Sequence, residues 1–160
     1  MQVRHVADAV RFQRMTTDEL RQAFLVEELF QPGQLQLLYV EVDRCIIGSA
    51  VPGTAPLLLQ SAKELSADFF CQRRELGVLN IGGVGAVEVD GQAYAMAPKD
   101  GLYIGRGSRE IRFSSENPAD PARFYLVSFP AHASYPTRHA RWADAEAQKL
   151  GSAEGANAST

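Results

Sequence analysis

The residues best equipped for chemistry are Arg73, Arg74 and Glu75, three consecutive charges at the entrance to an apolar run. If that run is a strand, alternation sends Arg73 and Glu75 to one face and Arg74 to the other. Two readings are open for them. One Arg meets a substrate or a partner surface, or an Arg–Glu pair fixes register at an interface, as interfacial charges usually do; the second is preferred. Asp43 and Arg44 divide the same way and are read as a structural pair. His132 can donate or accept a proton because imidazole titrates near neutrality. The preferred role for it is a loop anchor, with Tyr135 and Pro136 packed behind it. His5 and His139 fall in a polar arm and a polar tail, where solvated roles are expected. Cys45 and Cys71 lie in the apolar runs RCIIG and FFCQ, without metal-type spacing, and read as buried reduced thiols. Tyr94, Tyr103 and Tyr125 read as amphipathic core residues, any of which could instead line a ligand cup.

These side chains must be held by strands. The stretch Arg73 to Gly91, RRELGVLNIGGVGAVEVDG, organises the rest. Val78 and Ile81 bracket Leu79 and Asn80, and Val87 and Val89 alternate around Glu88, the period-two pattern of half-buried strands. Gly82, Gly83 and Gly85 form a corner of the kind a small barrel uses to bend sharply. They are not a phosphate cradle, because no helix with Lys or Ser/Thr follows. Asp90-Gly91 before Ala93, Tyr94, Ala95 and Met96 is a hairpin signal. Upstream, Thr16 and Glu19 fit a capping box on a helix over Asp18 to Phe24. Strands are expected at Leu35 to Val40 and Arg44 to Val51, with a break near Asp43. A loop marked by Pro52-Gly53 and Pro56 runs past Lys63. Further strands follow at Leu102 to Ile104, Glu110 to Ser114 and Arg123 to Phe129. Nine or ten short strands with one helix predict an all-β sandwich or barrel. Arg138 to Leu150 reads as a polar helix and Gly151 to Thr160 as a linker.

Composition narrows the classes. A chain of 160 residues, 46% hydrophobic, can bury one substantial core. A net charge of −3 with scattered Arg and Lys argues against nucleic acid as a partner. No apolar run approaches a membrane span, and Met1 to Arg14 does not resemble a signal peptide, so no membrane and a cytoplasmic location are expected.

The strand pattern, glycine corner and VDG turn resemble a cupin, a small β-barrel whose two motifs usually supply three His and one Glu to a metal. In this sequence the first pair of His positions falls near Asp68 and Phe70, the Glu at Glu75, and the second motif at Lys99-Asp100-Gly101, Ile104-Gly105-Arg106-Gly107 and Glu110. All three His are missing there. Carboxylates alone make a poor zinc cage, so no metal is expected in this barrel.

A narrower resemblance rests on FLVEELF at Phe24 to Phe30, Asp43-Arg44, RRELGVLNIGG at Arg73 to Gly83, VDGQAY at Val89 to Tyr94, Leu102-Tyr103-Ile104-Gly105 and PAHASYPT at Pro130 to Thr137. Over Val3 to about Leu150 the chain resembles the first half of the 4-deoxy-L-threo-5-hexosulose-uronate ketol-isomerases, bicupins of pectin breakdown. The resemblance implies an all-β, cupin-like double-stranded β-barrel. It would have an N-terminal arm and helix over 1–31, a degenerate cupin barrel over 32–137, and a polar helix and linker over 138–160 towards a second cupin domain absent from this chain.

It also implies interconversion of 5-dehydro-4-deoxy-D-glucuronate and 3-deoxy-D-glycero-2,5-hexodiulosonate by the whole enzyme, through an enediol-type intermediate. Zinc would be held by the absent domain, the partners would be a sugar acid and further copies in a homo-oligomer, and this half would be structural and inactive alone. A carboxylate substrate calls for a cationic clamp, a role that suits Arg. Arg73, Arg74, Glu75 and His132 are the candidate site residues. The alternative is a stand-alone metal-free module that binds a sugar acid or serves oligomerisation.

Overall fold

Period-two alternation becomes eleven strands in a computed structural model of the chain, which describes residues 1–146, 148, 150–152 and 154–155. The strands are β1 (Gln2–Arg4), β2 (Leu35–Val40), β3 (Cys45–Ala50), β4 (Leu57–Leu58), β5 (Arg74–Asn80), β6 (Gly85–Val89), β7 (Gln92–Met96), β8 (Gly101–Ile104), β9 (Ile111–Ser115), β10 (Phe124–Pro130) and β11 (Arg138–Ala140). Seven form one sheet in the order β1-β2-β3-β10-β5-β8-β11, and four form a second in the order β4-β9-β6-β7. All pairings are antiparallel except β1 with β2, which is parallel.

The inward side chains of both sheets meet in one apolar core. Ile46, Leu76, Leu102, Ile104 and Leu126 come from the larger sheet, Val87, Met96, Ile111 and Phe113 from the smaller. Phe113 and Phe124 pack across the sheets with ring centroids 5.3 Å apart. Each such side chain contributes on the order of 1.5–3 kcal/mol on burial, which makes this layer the main source of stability. Cys71 is buried and Cys45 half-buried, both as free thiols, and burial pushes the Cys71 thiol up to about 12.

Turn chemistry sets the register. Asp90 and Gly91 both adopt positive φ, +50° and +85°, the pair that a tight two-residue hairpin requires, and β6 folds onto β7 with Val89 opposite Gln92. At the corner between β5 and β6 the backbones approach so closely that a Cβ on Gly83 would lie 2.2 Å from the Asp120 carbonyl oxygen. Asn80 locks the corner. Its amide donates to the carbonyls of Gly83 (2.8 Å) and Met96 (2.9 Å), while its Oδ1 accepts from Gly82 N–H (3.1 Å) and Arg123 N–H (3.3 Å).

The N-terminal arm is more ordered than its composition predicts. It supplies β1 and a one-turn helix α1 (Ala9–Phe12) before α2 (Thr17–Phe24). In α2 the Thr16–Glu19 capping box forms as expected, with the Glu19 carboxylate accepting from Thr16 N–H at 2.8 Å.

The expected helix from Arg138 is not there. Arg138–Ala140 is β11, paired with β8, and Trp142–Asp144 is a single 3-10 turn. The cause is Asp100, 5% exposed, whose carboxylate accepts from Trp142 N–H (2.8 Å) and Ala97 N–H (3.0 Å) and lies 3.2 Å from His139 Nε2. His139 therefore packs against the barrel, edge-on to Tyr94, and does not sit in solvent. Positions 147, 149, 153 and 156–160, which hold part of the expected helix and linker, lie outside the described residues.

Candidate functional site

Alternation along β5 settles where the three consecutive charges go. Arg74, Leu76, Val78 and Asn80 face inward and are buried, whereas Glu75, Gly77 and Leu79 face out. Glu75 lies on the outer face of the sheet, where its carboxylate accepts from the Tyr103 hydroxyl at 2.9 Å. Burial, with that bond second, pushes the Tyr103 phenol up to about 12. Glu75 thus pairs with a tyrosine, and no Arg–Glu pair forms within this triplet.

Arg74 is 7% exposed at one end of the barrel. Its Nε donates to Ser128 Oγ (3.1 Å), and its Nη2 donates to the carbonyls of Ser128 (2.8 Å) and Arg44 (2.6 Å). Ser128 completes the relay by donating its hydroxyl to the Glu75 carbonyl at 2.6 Å. All these acceptors are neutral. Among the described residues no carboxylate comes within ion-pair distance of Arg74. Burial pulls its pKa below the ordinary guanidinium value, with nearby Arg44 acting in the same direction. A guanidinium nevertheless keeps its proton in proteins, so a buried positive charge is held here by dipoles alone.

The Arg44 carbonyl that Arg74 uses is presented by an unusual backbone. Asp43 and Arg44 are consecutive non-glycine residues at φ +51° and +52°. Left-handed backbone costs such residues about 1–2 kcal/mol each and persists only where the surroundings impose it. No ion pair joins Asp43 to Arg44 among the described residues. Their sequence adjacency serves a turn that brings Arg44 over the end of β5.

Arg44, Arg73 and Arg74 line one cleft of about 200 Å³, together with Tyr39, Phe70 and Glu64. The exposed side chains of Arg44 and Arg73 make no hydrogen bond or ion pair in the described chain. Glu64 lies 3.8 Å from the Met1 amino group. Three guanidinium groups and one already engaged carboxylate make the cleft a place for an anion.

His132 stands apart from the cleft on the exposed loop after β10. Its backbone, not its ring, does the anchoring. Arg106 Nη1 donates to the carbonyls of Ala131 (3.1 Å) and His132 (3.3 Å), and Arg106 Nε to that of Gln72 (3.3 Å). Tyr135, expected behind His132, is 56% exposed. Sequence reasoning places Arg106 in the second cupin motif, Ile104-Gly105-Arg106-Gly107, and gives its side chain no role.

The cupin metal positions do not fit a metal. Phe70 is 2% exposed within the core, Asp68 is hydrogen-bonded with Gln72, Glu75 faces away, and Glu110 pairs with Arg112 at 2.6 Å. No group of three His, Cys, Asp or Glu able to hold an ion occurs among the described residues. The interior that would form the cup is filled with Leu, Ile, Val, Met and Phe side chains.

Two facing sheets around one core, with a glycine corner and short hairpins, define an all-β protein of the cupin-like class. An IolB-like protein from Salmonella typhimurium LT2 shares the fold with a TM-score of 0.50 at 13% identity, over 68% of this chain and 40% of its own. Residues 24–156 match the KduI/IolB family, and the chain belongs to that family. It is 48% identical over 152 residues to the 4-deoxy-L-threo-5-hexosulose-uronate ketol-isomerase of Shouchella clausii, covering 95% of this chain and 55% of the relative. It is 42% identical over 160 residues to the enzyme of the same name from Caldicellulosiruptor bescii, covering all of this chain and 58% of the relative. The chain spans about half the length of the curated relatives it matches.

Proposed function

We propose that this chain is the N-terminal barrel of a 4-deoxy-L-threo-5-hexosulose-uronate ketol-isomerase, and that it acts within that enzyme as a scaffold and does not run the isomerisation itself. The observation that carries this reading is the filled interior. Moving a carbonyl one carbon along a sugar acid needs a base to take a proton from the neighbouring carbon, an acid to return it, and a group to stabilise the oxyanion between. The polar side chains buried in this barrel are those of Ser49, Arg74, Asn80, Asp100 and Ser128. Asp100 is held below the usual carboxylate range: burial opposes its charge, but bonds from Trp142 N–H, Ala97 N–H and His139 outweigh it. That makes it a weak base already spent on β11. Cys71, at about 12, stays a thiol near neutrality.

The metal chemistry expected of the whole enzyme therefore falls to the half of the relatives' length that this chain does not span. The place of action is pectin-derived uronate catabolism in the cytoplasm. Leu79 and Phe129, each 41% exposed on strands of the larger sheet, support association with further copies.

An isomerase assay on the 160-residue chain, with and without added zinc, tests the reading. No turnover in either condition is expected, while a protein extended to the relatives' full length turns over. Turnover by the short chain alone overturns it.

A further inference from the structure

The arginine cleft is left unused by a purely structural role. We propose that it is a carboxylate site, which binds the carboxylate of a small sugar acid between Arg73, Arg44 and Arg74. This goes beyond the scaffold reading and does not depend on it.

The charge balance points to an anion. Arg74 is buried with neutral acceptors only, and Arg44 and Arg73 stand free on the rim of the same cleft. A scaffold alone gains nothing from gathering three like charges, since each repels the others and the buried one is desolvated. The arrangement is also built. The left-handed turn at Asp43 and Arg44 fixes the Arg44 carbonyl on Arg74 Nη2, which leaves the Arg44 side chain on the cleft side.

The size and walls select the ligand. A volume of about 200 Å³ is room for the carboxylate and adjoining carbons of one small acid. Leu65, Ala67 and Pro130 offer apolar walls to a carbon body, with Tyr39 beside them. A forked guanidinium on the rim meets a carboxylate through two oxygens, with Arg74 behind supplying charge.

Calorimetric titration of the chain with D-galacturonate, methyl D-galacturonate and inorganic phosphate tests this, with Arg73→Ala, Arg73→Lys and Arg112→Ala as variants. The expected result is one site per chain for galacturonate. Binding should weaken about tenfold or more for the neutral ester and for Arg73→Ala, the loss of one charged hydrogen-bonding group. Arg73→Lys should recover part of the loss, and Arg112→Ala, across the barrel in β9, should bind as the parent does. Arg73 is exposed, so its variants keep the parent's melting temperature. Absence of galacturonate binding, equal affinity for acid and ester, tighter binding of phosphate, or an unaltered Arg73→Ala overturns the proposal. So does an Arg73→Ala chain that falls apart from an oligomer while the parent takes up no free acid, because the carboxylate would then come from a second copy. None of these outcomes bears on turnover, so the scaffold reading stands or falls separately.

Discussion

Two buried polar side chains, Asn80 and Arg74, sit on the same face at opposite ends of β5, and their surroundings differ in one respect. Asn80 is neutral, and its two donors and its acceptor oxygen are all used by backbone groups of the glycine corner. Arg74 also has backbone and hydroxyl partners, but they are neutral and its charge is not compensated. A satisfied neutral group closes its end of the barrel and specifies the fold. An uncompensated cation beside two free guanidinium groups leaves its end receptive.

The contrast can be broken most forcefully at Asn80. Asn80→Ala should lower stability by about 3–5 kcal/mol, because it orphans buried backbone donors and acceptors at two loops; urea denaturation would show it as a large fall in midpoint. Gly83→Ala tests the same end through sterics. With a carbonyl oxygen 2.2 Å from the new Cβ, the chain must shift, at about 2–3 kcal/mol. At the other end Arg74→Met should change stability by less than about 1.5 kcal/mol, since an apolar side chain of similar length replaces a desolvated charge. A loss at Arg74 as large as that at Asn80 would erase the distinction.

Smaller effects sharpen it. The Asp100 carboxyl titrates lower in the folded chain than its unfolded value near 3.8. Its contribution is therefore complete above that value and is lost as pH falls through the lower folded value. Asp100→Asn should flatten the acid limb below about pH 4 in a pH series of melting temperatures, and hydrogen exchange at β11 should quicken. The smallest effect is chemical: alkylation of Cys71 should stay slow in the native chain and appear only on unfolding, as mass spectrometry of labelled protein would register.

Much of the barrel is legible in the sequence because its signals are local. Alternation marks β5, β6 and β10, Asp90-Gly91 dictates a hairpin by its φ requirement, and Thr16 with Glu19 announces α2. The pieces that escape, β1, α1, β4 and β11, are two to four residues long. Such segments carry too little periodicity to read, and their pairing is decided by distant partners, β2 for one and β8 with Asp100 for another. That is why the sequence reads as a polar helix where β11 lies, and why His139 reads as solvated.

The site was half legible for the same reason. Arg73, Arg74 and Glu75 stand out as charges entering a strand, and period two separates Glu75 from Arg74. Arg44 reads only as the neighbour of Asp43, because what draws it to the cleft is a backbone turn 30 residues upstream. Nothing local marks Arg106 as the clasp of the PAHASYPT loop.

The parallel pairing of β1 with β2 has a practical outcome for handling the protein. With three residues the N-terminus covers the outer row of amides along Leu38, Tyr39 and Val40, half of the six-residue strand β2. Trimming past Arg4 would bare that row, and a naked sheet margin recruits strands from other molecules. Proteolytic nicking or a badly placed purification tag at the start of this chain should therefore show itself as precipitation well before any change in the barrel's own melting.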